Sequence, residues 1–263
     1  MEYVVTSLVA LFAAFMALYS GFGLGTLLTP AFVFFFPVPV AIAATAVVHL
    51  LNNLFRGLLV GRHANWGVVL RFGLPAVLSA IVGASVLGWI SAAGMPTITA
   101  YQIGKTDHVV TVVKLVIGIV IVAFAFLDLL PQLRGLEFSP KWLPVGGLFS
   151  GFFGGLSGNQ GALRSAFLVK VLPDTRAFVS TNAMCVIMVD IVRLIVYGAT
   201  FYTTGFAQIS QDIYGLVGVA TLAAFLGSYF AFRYISRVTI RTVQVIVGIM
   251  LIVVGVALAT GLI

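Results

Sequence analysis

Apolar runs bounded by proline, glycine or charge occupy about 3–36, 40–60, 66–91, 109–130, 142–172, 177–200, 212–232 and 240–262. Six of these eight have the length of one membrane-crossing helix, roughly 20 residues for a hydrocarbon core ~30 Å thick. The first and fifth are too long for one straight span. Each is interrupted in its middle by glycine: Gly21-Phe22-Gly23-Leu24-Gly25 in the first and Gly154-Gly155-Leu156-Ser157-Gly158-Asn159-Gln160-Gly161 in the fifth. Irregular backbone at membrane depth is tolerated only where protein or a cavity surrounds it. The pattern therefore predicts two broken helices lining a common site.

The two halves of the chain repeat. Ser20-Gly21-Phe22 matches Ser150-Gly151-Phe152, Ala31-Phe32-Val33 matches Ala166-Phe167-Leu168, and Val82-Gly83-Ala84 matches Leu226-Gly227-Ser228. Lys114-Leu115-Val116-Ile117-Gly118-Ile119 aligns with Gln244-Val245-Ile246-Val247-Gly248-Ile249. Offsets of 130 to 144 positions divide the chain into two four-segment units, 1–131 and 132–263, within a single integral membrane domain.

Composition excludes a water-soluble fold. Of 263 residues, 61% are hydrophobic and 8% charged, where a soluble domain carries about a quarter charged residues. The net charge of +7, from 14 Lys+Arg against 7 Asp+Glu, reads as membrane sidedness rather than as a nucleic-acid surface. Cys185 stands alone in an apolar run, which leaves no disulfide or CxxC framework and makes it a small buried hydrophobe. Met1-Glu2-Tyr3 has no basic n-region and no A-x-A-like cleavage site follows, so the first segment is expected to be retained.

The cations discriminate between topologies. If all eight segments cross, the flanking Lys and Arg divide five against seven. If segments one and five are re-entrant hairpins, the ten residues Arg56, Arg62, Arg71, Arg134, Lys141, Lys170, Arg176, Arg233, Arg237 and Arg241 share one face, against Lys105 and Lys114 on the other. The second division is the positive-inside pattern. The expected fold is an all-α polytopic membrane protein of two inverted repeats, each a glycine-broken re-entrant helical hairpin plus three transmembrane helices. Both termini are expected outside, with the hairpin tips meeting near the midplane.

Arg164 lies three residues after Gly161, far from any aqueous loop. An Arg at a helix centre costs roughly 2.5–3.5 kcal/mol on insertion scales, so it should face a cavity, a partner or a ligand. An anion is its natural partner, with capping of hairpin carbonyls or pairing with Asp190 as the structural alternatives. Half-helices that begin at a break present unpaired N–H groups and a positive dipole end, which suit the same ligand. Gly23, Gly25, Gly158 and Gly161 supply such backbone, and Thr26, Thr29, Ser157, Asn159 and Gln160 supply side-chain donors. Close helix packing is the competing explanation for the GxxxGxxxG series Gly147, Gly151 and Gly155.

Thr45, His49, Asn52 and Arg56 fall on one face of the second segment. The stripe reads either as interhelical hydrogen bonding or, for His49, as a ligand donor or proton carrier. The related segment carries Ser180, Thr181, Asn182, Asp190 and Arg193. Thr45, His49, Asn52, Thr181 and Asn182 join the candidate site, and His49, Asp190 and Arg193 are candidates for coupling or gating. Asp190 and Arg193 can pair at i, i+3, or Arg193 can snorkel from near the outer end of its helix. His63 and His108 read as solvated loop residues, and no histidine spacing suggests a metal or cofactor. No catalytic constellation is visible, so an enzyme is not expected. The stretch 93–108 reads as the one sizeable external loop.

These glycine-rich segments, with Pro30 after the first, and the Ala44-Thr45-Ala46 and Ser180-Thr181-Asn182 stretches resemble the sulfite exporter TauE/SafE family of bacterial membrane transporters over essentially the full length. The family's usual pattern has three consecutive glycines and then a proline in each half. Here Leu24 interrupts the first set, Asn159-Gln160 replaces part of the second, and Arg164-Ser165 lies where the second proline is expected. The resemblance implies export of sulfite, sulfonates or related small sulfur-containing anions across the inner membrane. A secondary transporter working by alternating access at a midplane site is the expected function, and an anion channel using the same site as its filter is the alternative. The expected partners are the anion and the lipid bilayer, with oligomerisation left open.

Overall fold

The computed structural model describes residues 2–20, 24–92, 96–130, 138–172, 174–201, 212–233 and 240–263. The helices are α1 (Glu2–Ser20), α2 (Leu24–Val33), α3 (Val38–Val60), α4 (Trp66–Ile90), α5 (Val112–Leu129), α6 (Leu143–Ser157), α7 (Gly161–Leu168), α8 (Thr175–Phe201), α9 (Asp212–Arg233) and α10 (Ile240–Ala259). Strands β1 (Thr97–Ile103) and β2 (Thr106–Thr111) form an antiparallel hairpin between α4 and α5. Several boundaries follow from local chemistry. Asn65 accepts from the Val68 N–H at the start of α4, Thr111 accepts from the Lys114 N–H at the start of α5, and prolines open α3 and α6.

Val38–His63, Trp66–Ile90, Thr175–Thr200 and Ile213–Arg233 are each long and apolar enough to cross a membrane. The described apolar stretches Val112–Leu127 in α5 and Val247–Ala259 in α10 are shorter. Side chains such as Leu58, Leu78, Ile195, Leu222 and Val253 stay exposed on the outside, where a bilayer makes an apolar surface favourable.

Helix directions are fixed by contacts between named residues. Ser180 Oγ donates to the Val60 carbonyl at 2.6 Å while His49 meets Asp190, so α3 and α8 run antiparallel. Gly118 lies against Ala259, and Gly248 against the Leu129 side chain, so α5 and α10 are antiparallel too. By contrast, Gly147, Gly151 and Gly155 of α6 lie in turn against the carbonyls of Phe72, Ala76 and Ala80, which makes α4 and α6 parallel. A Cβ at any of the three would strike that backbone, so these glycines serve close packing. Helices α1 and α9 are also parallel, with Gly215 against the Tyr3 hydroxyl and Gly227 against the Leu11 carbonyl. Gly83 likewise seats α4 on the Phe152 carbonyl of α6. The match of Ser20 with Ser150 needs correction, because Ser20 closes α1 whereas Ser150 lies in the middle of α6.

The segment expected as an external loop is largely the β-hairpin, which turns at Gly104 in a left-handed conformation (φ 64°). It is tied to the end of α10: Tyr101 donates to the Thr260 carbonyl at 2.6 Å, and His108 Nδ1 lies 3.3 Å from the Gly261 carbonyl oxygen. His108 also stacks on Tyr101, so it is a half-buried strand residue rather than a solvated loop residue.

Candidate functional site

The break in the fifth apolar segment is well defined. Helix α6 ends at Ser157, Gly158 adopts φ 79°, and α7 begins at Gly161. Helix α7 then folds back along α6, bringing the Phe167 ring against Gly146. Ser157 completes the end of α6, donating to the Phe153 carbonyl at 3.1 Å and accepting from the Asn159 N–H at 3.3 Å. In the first segment α1 ends at Ser20 and α2 begins at Leu24. Gly23 lies outside the described residues.

The start of α2 meets the break at Gly158. A Cβ on Gly25, the second residue of α2, would lie 3.2 Å from the Gly158 carbonyl oxygen and 3.7 Å from Thr45 Cγ2. Glycine at 25 therefore lets the start of α2 come up against the other break, with α3 alongside. Thr29 follows one turn along α2. Thr26 is buried on the same short helix.

Arg193 reaches this junction from α8. Its Nη1 donates to the Gly154 carbonyl at 3.0 Å and would sit 2.8 Å from a Cβ placed on Gly158. Its Nη2 lies 2.8 Å from Asp190 Oδ1, without the alignment of a hydrogen bond, while Asp190 Oδ2 lies 2.7 Å from His49 Nδ1. Arg193 and Asp190 are fully buried. The snorkelling expectation for Arg193 is thus overturned, because a carboxylate and a carbonyl satisfy the cation inside the protein. Tyr197, one turn further along α8, donates to the Gly155 carbonyl. The sequence reading missed it, since a tyrosine in an apolar helix carries no mark of its partner.

Arg164 is buried one turn into α7. Its Nε donates to Asn182 Oδ1 of α8, and its Nη1 has no hydrogen-bond partner. It does not cap a hairpin carbonyl through a bond of its own side chain, nor does it form an ion pair with Asp190 among the described residues. Other unpartnered buried atoms lie near the breaks: both amide atoms of Asn159, Nε2 of Gln160, and the hydroxyls of Thr29 and Thr45. A buried polar atom left unpaired costs about 1–3 kcal/mol, so a group of them marks a candidate binding position.

Arg56 corrects the cation count. Counted in the sequence as a flanking cytoplasmic residue, it is 5% exposed. Its Nε donates to Ser228 Oγ at 3.0 Å and its Nη2 to the Ala14 carbonyl at 2.7 Å, while Ser228 donates to Asn52 at 2.8 Å. Asn52 thereby belongs to an α3–α9–α1 joint. Thr181 lies elsewhere again, accepting from the Asn65 N–H at the α3–α4 connection. Among the described residues, Arg56, Arg164 and Arg193 against Asp190 leave a formal 3 − 1 = +2 on buried side chains, taking His49 as neutral.

Apolar helices closed around a buried, cation-rich junction of two helix breaks define a multi-pass membrane protein with a polar interior. The chain belongs to the sulfite exporter TauE/SafE family, which matches it over residues 6–258. This is a family of transporters, which gives the channel alternative no support. Comparison with curated proteins gives no match, and comparison with solved structures gives none.

Proposed function

We propose that the chain exports sulfite or a related small sulfur-containing anion across the inner membrane, by alternating access at the junction of the two breaks. The observation that carries this reading is the set of buried groups without partners there, headed by Arg164 Nη1. Arg164, Asn159 and Gln160 offer N–H donors, Thr29 and Thr45 offer hydroxyls, and the closeness of Gly25 to Gly158 brings α2 and α3 to the same place. Arg193 adds positive charge from the far side of Gly158. A small oxyanion would satisfy these donors and offset the +2 of the interior.

Helix directions support the inverted, re-entrant arrangement. Crossing helices alternate in direction. If α3, α4, α5, α8, α9 and α10 each cross once, a crossing fifth segment would make α3 and α8 parallel, yet they are antiparallel. A fifth segment that enters and leaves on one side accounts for this, and equally for antiparallel α5 and α10. Helix α1 runs parallel to α9, and hence to α3, which is the direction a re-entrant first segment requires. With Arg56 removed, the cations still divide nine against two.

The internal match is also supported. The starts of α3 and α8, Val38 and Thr175, are 175 − 38 = 137 apart, as are the starts of α2 and α7, 161 − 24 = 137. Gly118 meets Ala259 where Gly248 meets Leu129, and 248 − 118 = 259 − 129 = 130. Such reciprocal contacts are what a two-fold axis between antiparallel helices produces. Outward movement of an anion from a negative interior gains roughly 2.3 kcal/mol per charge per 100 mV, so export is downhill in the membrane potential. Thermal unfolding of the purified protein with sulfite, sulfate, thiosulfate and organosulfonates tests the reading. Stabilisation by sulfite or a sulfonate, lost in Arg164→Gln, is expected, and indifference to the whole panel would sink it.

A further inference from the structure

We propose that His49, held by Asp190, carries one proton together with each exported anion. The inference rests on the export reading above and adds a second cargo to it. The proton offsets one negative charge, so the sulfite dianion still leaves with one net negative charge and keeps an outward electrical gain. His49 is buried mid-helix in α3, and its Nδ1 lies 2.7 Å from Asp190 Oδ2. An ionised carboxylate only accepts, so Nδ1 carries a hydrogen in both charge states of the ring. The exchangeable proton is therefore the one on Nε2: it adds to that nitrogen's lone pair to give imidazolium and leaves from the same atom, with no other bond made or broken.

The anion and the proton are linked through Asp190. This carboxylate is divided between His49 on one oxygen and Arg193 on the other. Arg193 in turn extends past it to the break, where Nη1 meets the Gly154 carbonyl and the open face of Gly158. Its Nε is buried without a hydrogen-bond partner among the described residues, so the guanidinium has capacity for a further acceptor. An anion at the break draws Arg193 charge away from Asp190. A buried carboxylate deprived of its cation is costly, and protonation of His49 restores its partner without moving the helix. The other charged group that acts on His49 is Arg164 of α7, which the same anion would neutralise. Helices α2, α5 and α9, which also pack on α3, bring no charged group to it among the described residues. Anion binding thus favours the imidazolium, and by reciprocity the imidazolium favours anion binding.

The test uses the full-length protein in liposomes containing a pH indicator, with labelled sulfite as the probe. Protons moved per sulfite are compared between wild type and His49→Gln, so that the titration of sulfite itself, common to both, cancels. The wild-type protein is expected to move one proton more per sulfite than the variant, which exchanges labelled for unlabelled sulfite more slowly. His49→Asn, which keeps an N–H for Asp190 but has no nitrogen that can take up a proton, is expected to lose the same proton and serves should His49→Gln fail to insert. Equal ratios in wild type and variants, with labelled exchange present, overturn the proton proposal and leave export standing. Absence of labelled exchange in the wild-type protein overturns the export reading, and the proton proposal with it.

Discussion

Arg56 and Arg193 lie 193 − 56 = 137 positions apart, the offset between the starts of their helices, and each donates to a carbonyl of an earlier helix. Arg56 holds the Ala14 carbonyl of α1, and Arg193 holds the Gly154 carbonyl of α6. The halves differ in what else surrounds the cation. Arg56 has the neutral Ser228 and Asn52, whereas Arg193 has Asp190 and, through it, His49. The asymmetry joins the buried acid, and through it the histidine, to the cation that reaches Gly158.

Removing one member of the Asp190–Arg193 pair leaves a buried charge exposed to a low dielectric, with a cost of ~3–5 kcal/mol for such pairs. Arg193→Gln and Asp190→Asn are each expected to destabilise strongly, and the double variant to lose less than the two singles added together. Denaturant unfolding in detergent measures this, and strict additivity would count against the pairing.

Gly158→Ala is expected to lower stability by ~1–2 kcal/mol from its left-handed backbone alone. The added methyl also displaces Arg193 Nη1, so sulfite affinity should fall along with the melting temperature. An alanine variant with wild-type affinity would mean that Arg193 is not held at the break.

Gly118→Ala should cost more than Gly248→Ala, although the two positions correspond. A Cβ at 118 meets the backbone of Gly255 and Ala259, whereas one at 248 meets only the movable end of Leu129. Melting temperatures of the two variants in the same detergent decide it, and the reverse order would refute the α5–α10 packing.

Cysteine labelling tests the re-entrant arrangement. The buried Cys185 is first replaced by alanine. Phe34→Cys, in the exposed turn after α2, is expected to react with an impermeant thiol reagent from outside, and Lys170→Cys, in the exposed turn after α7, only from inside. Labelling of both from one side would exclude two hairpins of opposite entry.

Much of this was legible in the sequence. Glycines inside apolar runs are rare enough in purpose that 154–161 marked a break, and the chain does break at 158–160. Thr45, His49 and Asn52 of the polar stripe are buried as their spacing indicated. What failed depended on contacts from distant elements. Arg56 sits four residues before the end of α3, where sequence position reads as a flank, and only Ser228 and Ala14 make its burial possible. For Arg193 the i, i+3 pairing with Asp190 holds, and only the snorkelling reading fails, because the Gly154 carbonyl meets it inside the protein. The β-hairpin had a local signal that went unused, β-branched residues on either side of Gly104-Lys105.

The most direct test of the central claim is exchange of labelled for unlabelled sulfite by the wild-type protein and Arg164→Gln in liposomes. Exchange by the wild type that saturates with sulfite, and its fall to the protein-free background in an Arg164→Gln variant that inserts and melts normally, is the predicted result. Undiminished exchange by Arg164→Gln would contradict the account.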